Sequence, residues 1–418
     1  SLQSGEFLCL FLANNGLNHG LGRLNPAEVL LADGNNMDLG SFASKATRLN
    51  AWQFDADTGR QMLLRYFEVQ DLHGFGLEDE TYVPAVAAAG ALLNYIQMTQ
   101  PQMPKHLEAL QCEHAQEYIQ IDAASRRNLE ISLTLRGKTA PTLLSSLDDC
   151  ATHMGSRLLH TWLHQPLTRK SHILLRQQAI VALLPHAATL QAAFKPLGDI
   201  ERMAARIAVG SARPRDLSGL RDGLQLLADL SLPDGVDSVL LDTLMQVFPE
   251  GLALAERLQA AVLPEPAVWL RDGGVINHGF NADLDELRHI QTHGDEFLLD
   301  LEARERERTG LSTLKVEFNR VHGFYIELSK AQAEQAPADY QRRQTLKNVE
   351  RYITPELKVF EDKVMSAQDQ ALALEKQLFD GLLRELQAAL PVLQRIAKAA
   401  ASLDVLAALA KIAAQEQW

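Results

Sequence analysis

Cysteine is scarce in this chain: three residues in 418, at Cys9, Cys112 and Cys150. An odd number so widely spaced, with no C-x-x-C, supports neither a disulfide framework nor a cysteine metal site. A reducing, cytoplasmic setting fits that usage. Aromatics make up only 6 %, while Leu and Ala are abundant, which favours helices over a β sandwich. No apolar run reaches the roughly 18 residues that would span a bilayer, and no secretory signal pattern is present. No fixed-length repeat supports a solenoid. Excess positive charge is also missing. The formal net charge of −13 argues against coating nucleic acid with the whole surface. It leaves room for a local contact, because phosphate attraction acts within a Debye length of roughly 10 Å.

Catalytic constellations are missing as well. No paired-carboxylate, Ser/His/Asp or Cys/His arrangement can be assembled, so no enzyme activity is expected of these residues. Gly137-Lys138-Thr139 has the ending of a phosphate-binding loop, but Ser132 stands where the first glycine belongs, and Asn128–Leu135 looks helical rather than like a buried strand. A turn between helices is the simpler reading. His160 and His164 have the i, i+4 spacing of a shared metal, yet no third ligand is apparent. Asp148-Asp149-Cys150 reads as capping chemistry and Phe248-Pro249-Glu250 as a turn. Arg126, Arg127 and Glu130 read as helix-surface or interhelical pairs.

What the chain does have is length for about two to four domains and an ordinary 46 % hydrophobic content. Residues 1 to about 100 read as α/β, with strand candidates at Glu6–Leu12 and Glu28–Ala32, the second closed by Asp33-Gly34, and helical patterns at 57–69 and 82–98. Thr99–Pro104 is a plausible linker, since its prolines interrupt a helix. From about 122 to 262 the pattern is helical, with Pro185 as a stop and Pro214 as a start. The final helix runs from Pro355 past Glu375 and restarts after Pro391. Because the sequence begins at Ser1, not Met, and enters straight into a strand-like run, it is expected to be a piece of a longer chain.

The most informative stretch is Gly310–Thr354, a polar insert between two long helical patterns. Before it, Asn281–Thr309 is amphipathic. Leu284, Leu287, Ile290, Phe297, Leu298 and Leu301 share one side, and Arg304–Arg308 reads as a solvated end. Gly310 is a C-terminal stop. Thr354-Pro355-Glu356 restarts a helix through a cap, a proline in the first turn and an acid on the dipole. Within the insert, 314–318 and 324–328 alternate with period two around Asn319–Gly323, a hairpin pattern. The segment 342–353 fits helix through Leu346, Val349 and Ile353 but strand through Arg351–Thr354. It carries Arg342, Arg343, Lys347 and Arg351 against one acid, Glu350. The arginines and lysine can neutralise phosphates, and Gln344, Thr345 and Asn348 can donate to phosphate oxygens. The competing reading is a solvated charged face on a surface hairpin.

Ordered strings along nearly the whole chain resemble the MutS family of DNA mismatch repair proteins, most like the bacterial form. Leu24–Glu28 and Asp71–Gly76 resemble its connector, and Asp122–Glu130, Met154–Leu159, Asp199–Arg202 and Ala212–Leu217 its lever. Arg304–Gly310 leads into its clamp, and Gln344–Asn348 with Glu350-Arg351-Tyr352 closes it. The resemblance implies a mostly α fold: a long-helix lever carrying a small β-rich clamp, preceded by a partial α/β, RNase-H-like connector. The implied domains are the connector at 1–115, the lever at 116–308 and 355–418, and the clamp at 309–354. Carried over by position, Lys315, Arg342, Arg343, Gln344, Lys347, Asn348 and Arg351 would contact the DNA backbone without reading sequence. Implied partners are duplex DNA, a second MutS subunit and, through the connector, a MutL-type repair protein, with no membrane. Phe248-Pro249-Glu250 lies in the lever and cannot be the family's mismatch wedge. That wedge, and the ATPase with its ATP and magnesium, would lie outside this chain, which holds no cofactor of its own. The alternative is a helical scaffold whose connector and tip bind protein partners and hardly bind DNA in isolation.

Overall fold

The α/β expectation for the first hundred residues is met by short parallel strand pairs beside two packed helices. The structure, a computed structural model, describes residues 7–10, 17–24, 26–72, 75, 77, 82–100, 107, 110–113, 118–119, 121–233, 235–292, 294–319 and 323–417. In chain order it opens with β1 (Leu8–Leu10), α1 (Leu17–Leu24), β2 (Val29–Ala32), β3 (Ala46–Leu49), α2 (Ala56–Phe67), α3 (Val83–Thr99) and β4 (Gln111–Glu113). Then come α4 (Ala123–Asn128), α5 (Leu143–Leu147), α6 (His153–His164), α7 (Lys170–Leu183), α8 (Ala187–Phe194), α9 (Ile200–Ala208), α10 (Pro214–Ala228), α11 (Val239–Met245) and α12 (Leu252–Ala261). The remainder is α13 (Ala282–Thr292), α14 (Gly294–Thr309), β5 (Lys315–Asn319), β6 (Gly323–Ser329), β7 (Gln341–Thr345), β8 (Val349–Ile353), α15 (Pro355–Ala388) and α16 (Leu390–Glu416). Two compact units divide these elements: Ser1–Ala212, Gly219–Arg257 and Leu383–Trp418 form one, and Arg213–Ser218 with Leu258–Leu382 the other. No single helix among the described residues is long and apolar enough to cross a membrane.

In the first unit, β1 pairs with β4 and β2 with β3, both in parallel. β2 ends as Asp33-Gly34 predicts: Asn35 N–H donates to the Ala32 carbonyl, and Gly34 takes a φ of +81°, a conformation that costs glycine little. Asp55 caps α2 by accepting from Thr58 N–H at 2.8 Å. α2 and α3 meet through glycines, and a Cβ on Gly90 would lie 2.2 Å from the Gly59 Cα. Of the expected strand Glu6–Leu12, Leu8–Leu10 is β1, whereas Glu6, Phe11 and Leu12 fall outside the described residues. Pro101–Pro104 of the linker and the 73–74 and 76 positions of Asp71–Gly76 also fall outside them.

α16 is the centre of the helical layer. Leu393, Ile396, Ala400, Leu403, Leu406 and Ala407 are buried along it, and its alanines let α6, α7, α8 and α9 approach closely. The helix expected over Asn128–Leu135 does not extend past α4. Glu130 adopts a left-handed backbone, its carbonyl accepts from Leu143 and its carboxylate from Leu135. Those bonds take the chain out of the helical path. Gly137, at φ +74°, donates to Thr134, whose N–H donates to Lys138. Gly137-Lys138-Thr139 therefore belongs to a turn, as its sequence predicts. Thr152, rather than Asp148 or Asp149, caps α6, while Asp149 pairs with Lys411 at 2.6 Å.

In the second unit, the pattern over Asn281–Thr309 forms α13 and α14, with residue 293 outside the described set. α14 stops at Gly310, which takes φ +71° and donates to Arg306. The insert is a four-stranded antiparallel sheet in the order β5-β6-β8-β7. Of the hairpin loop expected over Asn319–Gly323, residues 320–322 lie outside the described residues. The helix-or-strand ambiguity at 342–353 resolves to strands, because Lys347-Asn348 forms a two-residue turn closed by Leu346 N–H on the Val349 carbonyl at 2.9 Å. α15 begins at Pro355, with Leu357 N–H donating to the Thr354 hydroxyl at 3.2 Å.

Candidate nucleic-acid interface

The two faces of the sheet differ in chemistry. Val316, Ile326, Leu328 and Tyr352 are buried against Leu298, Leu301, Leu311, Leu314 and Leu357. Phe297 and Phe360 stack beside them at 4.0 Å. On the other face the register aligns Lys315, Glu327, Arg351 and Gln344 in one cross-strand row. Such rows are the unit of sheet stabilisation, and this one is bonded across. Arg351 donates to Glu327 at 3.0 Å and to the Gln344 side-chain oxygen at 3.2 Å, and its guanidinium lies 4.0 Å from the Tyr325 ring centroid. Three of the seven expected contact residues are thus brought into one row, with Arg351 neutralised in it.

Arg342 and Arg343 go elsewhere. The register slips between Arg342 and Gln344, a β-bulge that re-aims a side chain. Continued alternation from the Arg342–Tyr352 pair would set Arg343 opposite Arg351. The bulge places Gln344 there instead. Arg343 donates to both carboxylate oxygens of Glu361, at 2.8 and 3.2 Å, and to the Phe324 carbonyl at 3.0 Å. Arg342 pairs with Glu350 at 2.9 Å, and Glu350, itself buried, accepts from the Tyr352 hydroxyl. Lys347 and Asn348 are exposed in the β7–β8 turn, and exposed Lys330 lies beside them, its N–H donating to the Asn348 carbonyl at 3.1 Å. Among the described residues, Lys315, Lys330 and Lys347 have no carboxylate partner. Sequence reasoning missed Lys330, because only the register brings it next to the turn.

The run Arg304–Arg308 is only partly the solvated end its composition predicts: Arg304, Glu307 and Arg308 are exposed, but Glu305 is not. Glu305 is 8 % exposed and accepts from the Tyr340 hydroxyl and from Arg308, both at 2.7 Å. Arg306 donates to the Leu314 carbonyl, and Arg304 reaches Glu356. Burial, with Glu305 accepting its hydroxyl, pushes the Tyr340 phenol up. Alternating charge here fastens α14 to the sheet.

Glu361, on α15 and 3 % exposed, gathers several donors. Besides Arg343 it accepts from Phe324 N–H at 3.0 Å and from Lys358 at 3.1 Å. Burial acts to raise its pKa, but Arg343, Lys358 and the Phe324 amide together hold it down to about 2. Gly323 leaves this carboxylate room: it sits at φ +70°, and a Cβ there would lie 2.4 Å from Glu361 Oε2.

The other sequence candidates sit in the first unit and are occupied. His164 is bonded on both ring nitrogens, Nδ1 to Arg126 at 3.1 Å and Nε2 to Ser132 at 3.0 Å. An arginine can only donate, so Nδ1 accepts and Nε2–H donates. Burial, aided by His160 and Arg126, holds His164 down at about 4. No cluster of three metal-ligating side chains occurs among the described residues. Phe248 is buried in a turn and Glu250 pairs with Arg395.

Comparison with known families agrees with this arrangement of an α/β start, a helical body and a β insert. The model for MutS domain II matches residues 1–108, and that for MutS domain III matches residues 124–410. The second match covers well over half of the chain and encloses the whole sheet. The chain belongs to the MutS family of DNA mismatch repair proteins, and it carries the family's domains II and III.

Proposed function

We propose that this chain grips duplex DNA by its phosphates at the end of the four-stranded sheet, without reading bases, and that α15 acts as the lever on which the sheet is carried. Duplex DNA and a second subunit are the partners that family membership implies. The observation that carries the reading is the exposed trio Lys315, Lys330 and Lys347, free of carboxylates among the described residues while Arg342, Arg343 and Arg351 each pair with a glutamate. Lysine is a compact point charge suited to a phosphate oxygen, and exposed Asn348 can add a hydrogen bond. Base readout in the major groove relies most on the arginine fork; here Arg343 puts its fork on Glu361, while Arg342 and Arg351 pair through Nε with Glu350 and Glu327. The grip is therefore sequence-independent. In this reading the chain has no catalytic step, and the ATPase with which a lever communicates lies in other residues of the family.

The test is fluorescence anisotropy with matched and mismatched duplexes at two salt concentrations. Lys347→Ala and Lys330→Ala should each reduce the slope of log affinity against log salt by about 0.9, equally for both duplexes. A loss confined to the mismatched duplex would refute a sequence-independent grip. No binding even at low salt would favour a scaffold whose connector and tip take protein partners.

A further inference from the structure

Arg343 is the residue whose environment agrees least with a phosphate contact. It leaves the open face through a bulge, forks onto a carboxylate that is 3 % exposed, and caps the Phe324 carbonyl with the same nitrogen. Glu361 in turn takes the Phe324 N–H. Both backbone groups of Phe324 are thus tied to one ion pair, at the first residues of β6. Glycine suits position 323 beside it, since φ is +70° and an added Cβ would lie 2.4 Å from Glu361 Oε2. The phenyl ring of Phe324 packs edge-on to Phe360 of α15 at 5.4 Å. One side chain from β7, one residue of β6 and one carboxylate of α15 therefore meet in a closed set.

We propose that Arg343 and Glu361 form the joint that fixes the sheet on α15, and that Arg343 serves DNA binding by positioning the lysines rather than by touching a phosphate. This deepens the reading of the sheet as a phosphate grip and rests on it for its DNA arm. The geometry separates two roles that one charge run in the sequence runs together. A phosphate contact needs a charge and tolerates lysine in place of arginine. A joint needs the planar fork, because one ammonium cannot reach both carboxylate oxygens and the Phe324 carbonyl in fixed geometry.

The experiment compares Arg343→Ala, Arg343→Lys and Glu361→Gln with Lys347→Ala in the full chain. Duplex affinity is read at two salt concentrations, and hydrogen exchange at the Phe324 amide is read without DNA. A joint predicts that all three joint variants lose affinity by a similar factor, about three- to tenfold, at both salts, with the salt slope unchanged. It also predicts at least tenfold faster exchange at Phe324 in each. Lys347→Ala should do the reverse, lowering the slope while leaving the amide protected. The proposal is overturned if Arg343→Ala lowers the slope as Lys347→Ala does, or if Glu361→Gln tightens binding, as release of Arg343 toward phosphate would. Unchanged Phe324 exchange in Arg343→Ala and Glu361→Gln also overturns it. If the parent chain binds no duplex, the grip fails on its own account, and the exchange arm still decides the joint.

Discussion

At the scale of single residues, the positions that mattered most were set by backbone geometry more than by charge. The stop at Gly310, the cap at Thr354 and the turn at Asp33-Gly34 were legible because each depends on neighbours in sequence. The fate of Arg343 was not, because a one-residue register slip depends on Glu361, eighteen positions away along the chain. Gly155 illustrates the same dependence in the helical layer. It stands on α6 where an added Cβ would lie 2.2 Å from Oδ2 of Asp404, a fully buried carboxylate on α16. That carboxylate cannot retreat without loss, since it accepts from the N–H groups of Ala151 and Thr152 and from the Thr152 hydroxyl. Overpacking plus a lost buried hydrogen bond costs about 2–3 kcal/mol. Gly155→Ala should lower stability in urea by that amount. A change under about 0.5 kcal/mol would mean the carboxylate can relocate without penalty.

At the scale of elements, the two long helices do more than present an apolar stripe. Each carries at least one buried carboxylate that collects backbone N–H groups from a segment distant in sequence. On α15, Glu361 holds Phe324, and Glu375 holds Gly274, Val275 and Ile276 together with Arg288. On α16, Asp404 holds Ala151 and Thr152. Periodicity revealed where these helices run but not these functions, since an acid on an amphipathic pattern reads as surface until its partner loop is known. The absence of helix beyond Asn128 was hidden for the same reason, because Glu130 bonds to Leu135 and Leu143. The titration of Glu361 measures one such attachment. Its folded pKa of about 2 lies below the ordinary value of 4.5. Its contribution is therefore complete above pH 4.5 and is lost as pH falls toward 2. The full span is roughly 3 kcal/mol. Native-state hydrogen exchange of the sheet amides should show the gap between the parent chain and Glu361→Gln narrowing as pH drops from about 6 to about 3. An equal gap at both pH values would mean that the carboxylate is not what anchors the sheet.

At the scale of the whole molecule, the proposed grip asks a chain of net charge −13 to hold a polyanion through a small exception to its own sign. In that reading the exception is the charge left over after neutralisation within the sheet. Arg342, Arg343 and Arg351 each meet a glutamate, so the apparently basic run between Tyr340 and Tyr352 contributes little free charge. Three exposed lysines remain, only two of which, Lys315 and Lys347, were among the residues singled out by resemblance. The repulsion of the remaining surface is screened beyond roughly 10 Å at 0.1 M salt, so the local set decides the counterions released. Three phosphate contacts at about 0.9 each give a slope of log affinity against log salt near −2.7 for the whole chain. A slope near −5 would require the arginines to exchange their glutamates for phosphates on binding, and the sheet would then be a switch instead of a fixed grip. A salt titration of the parent chain over about one decade distinguishes the two values, and on the arrangement described here the shallower one is expected.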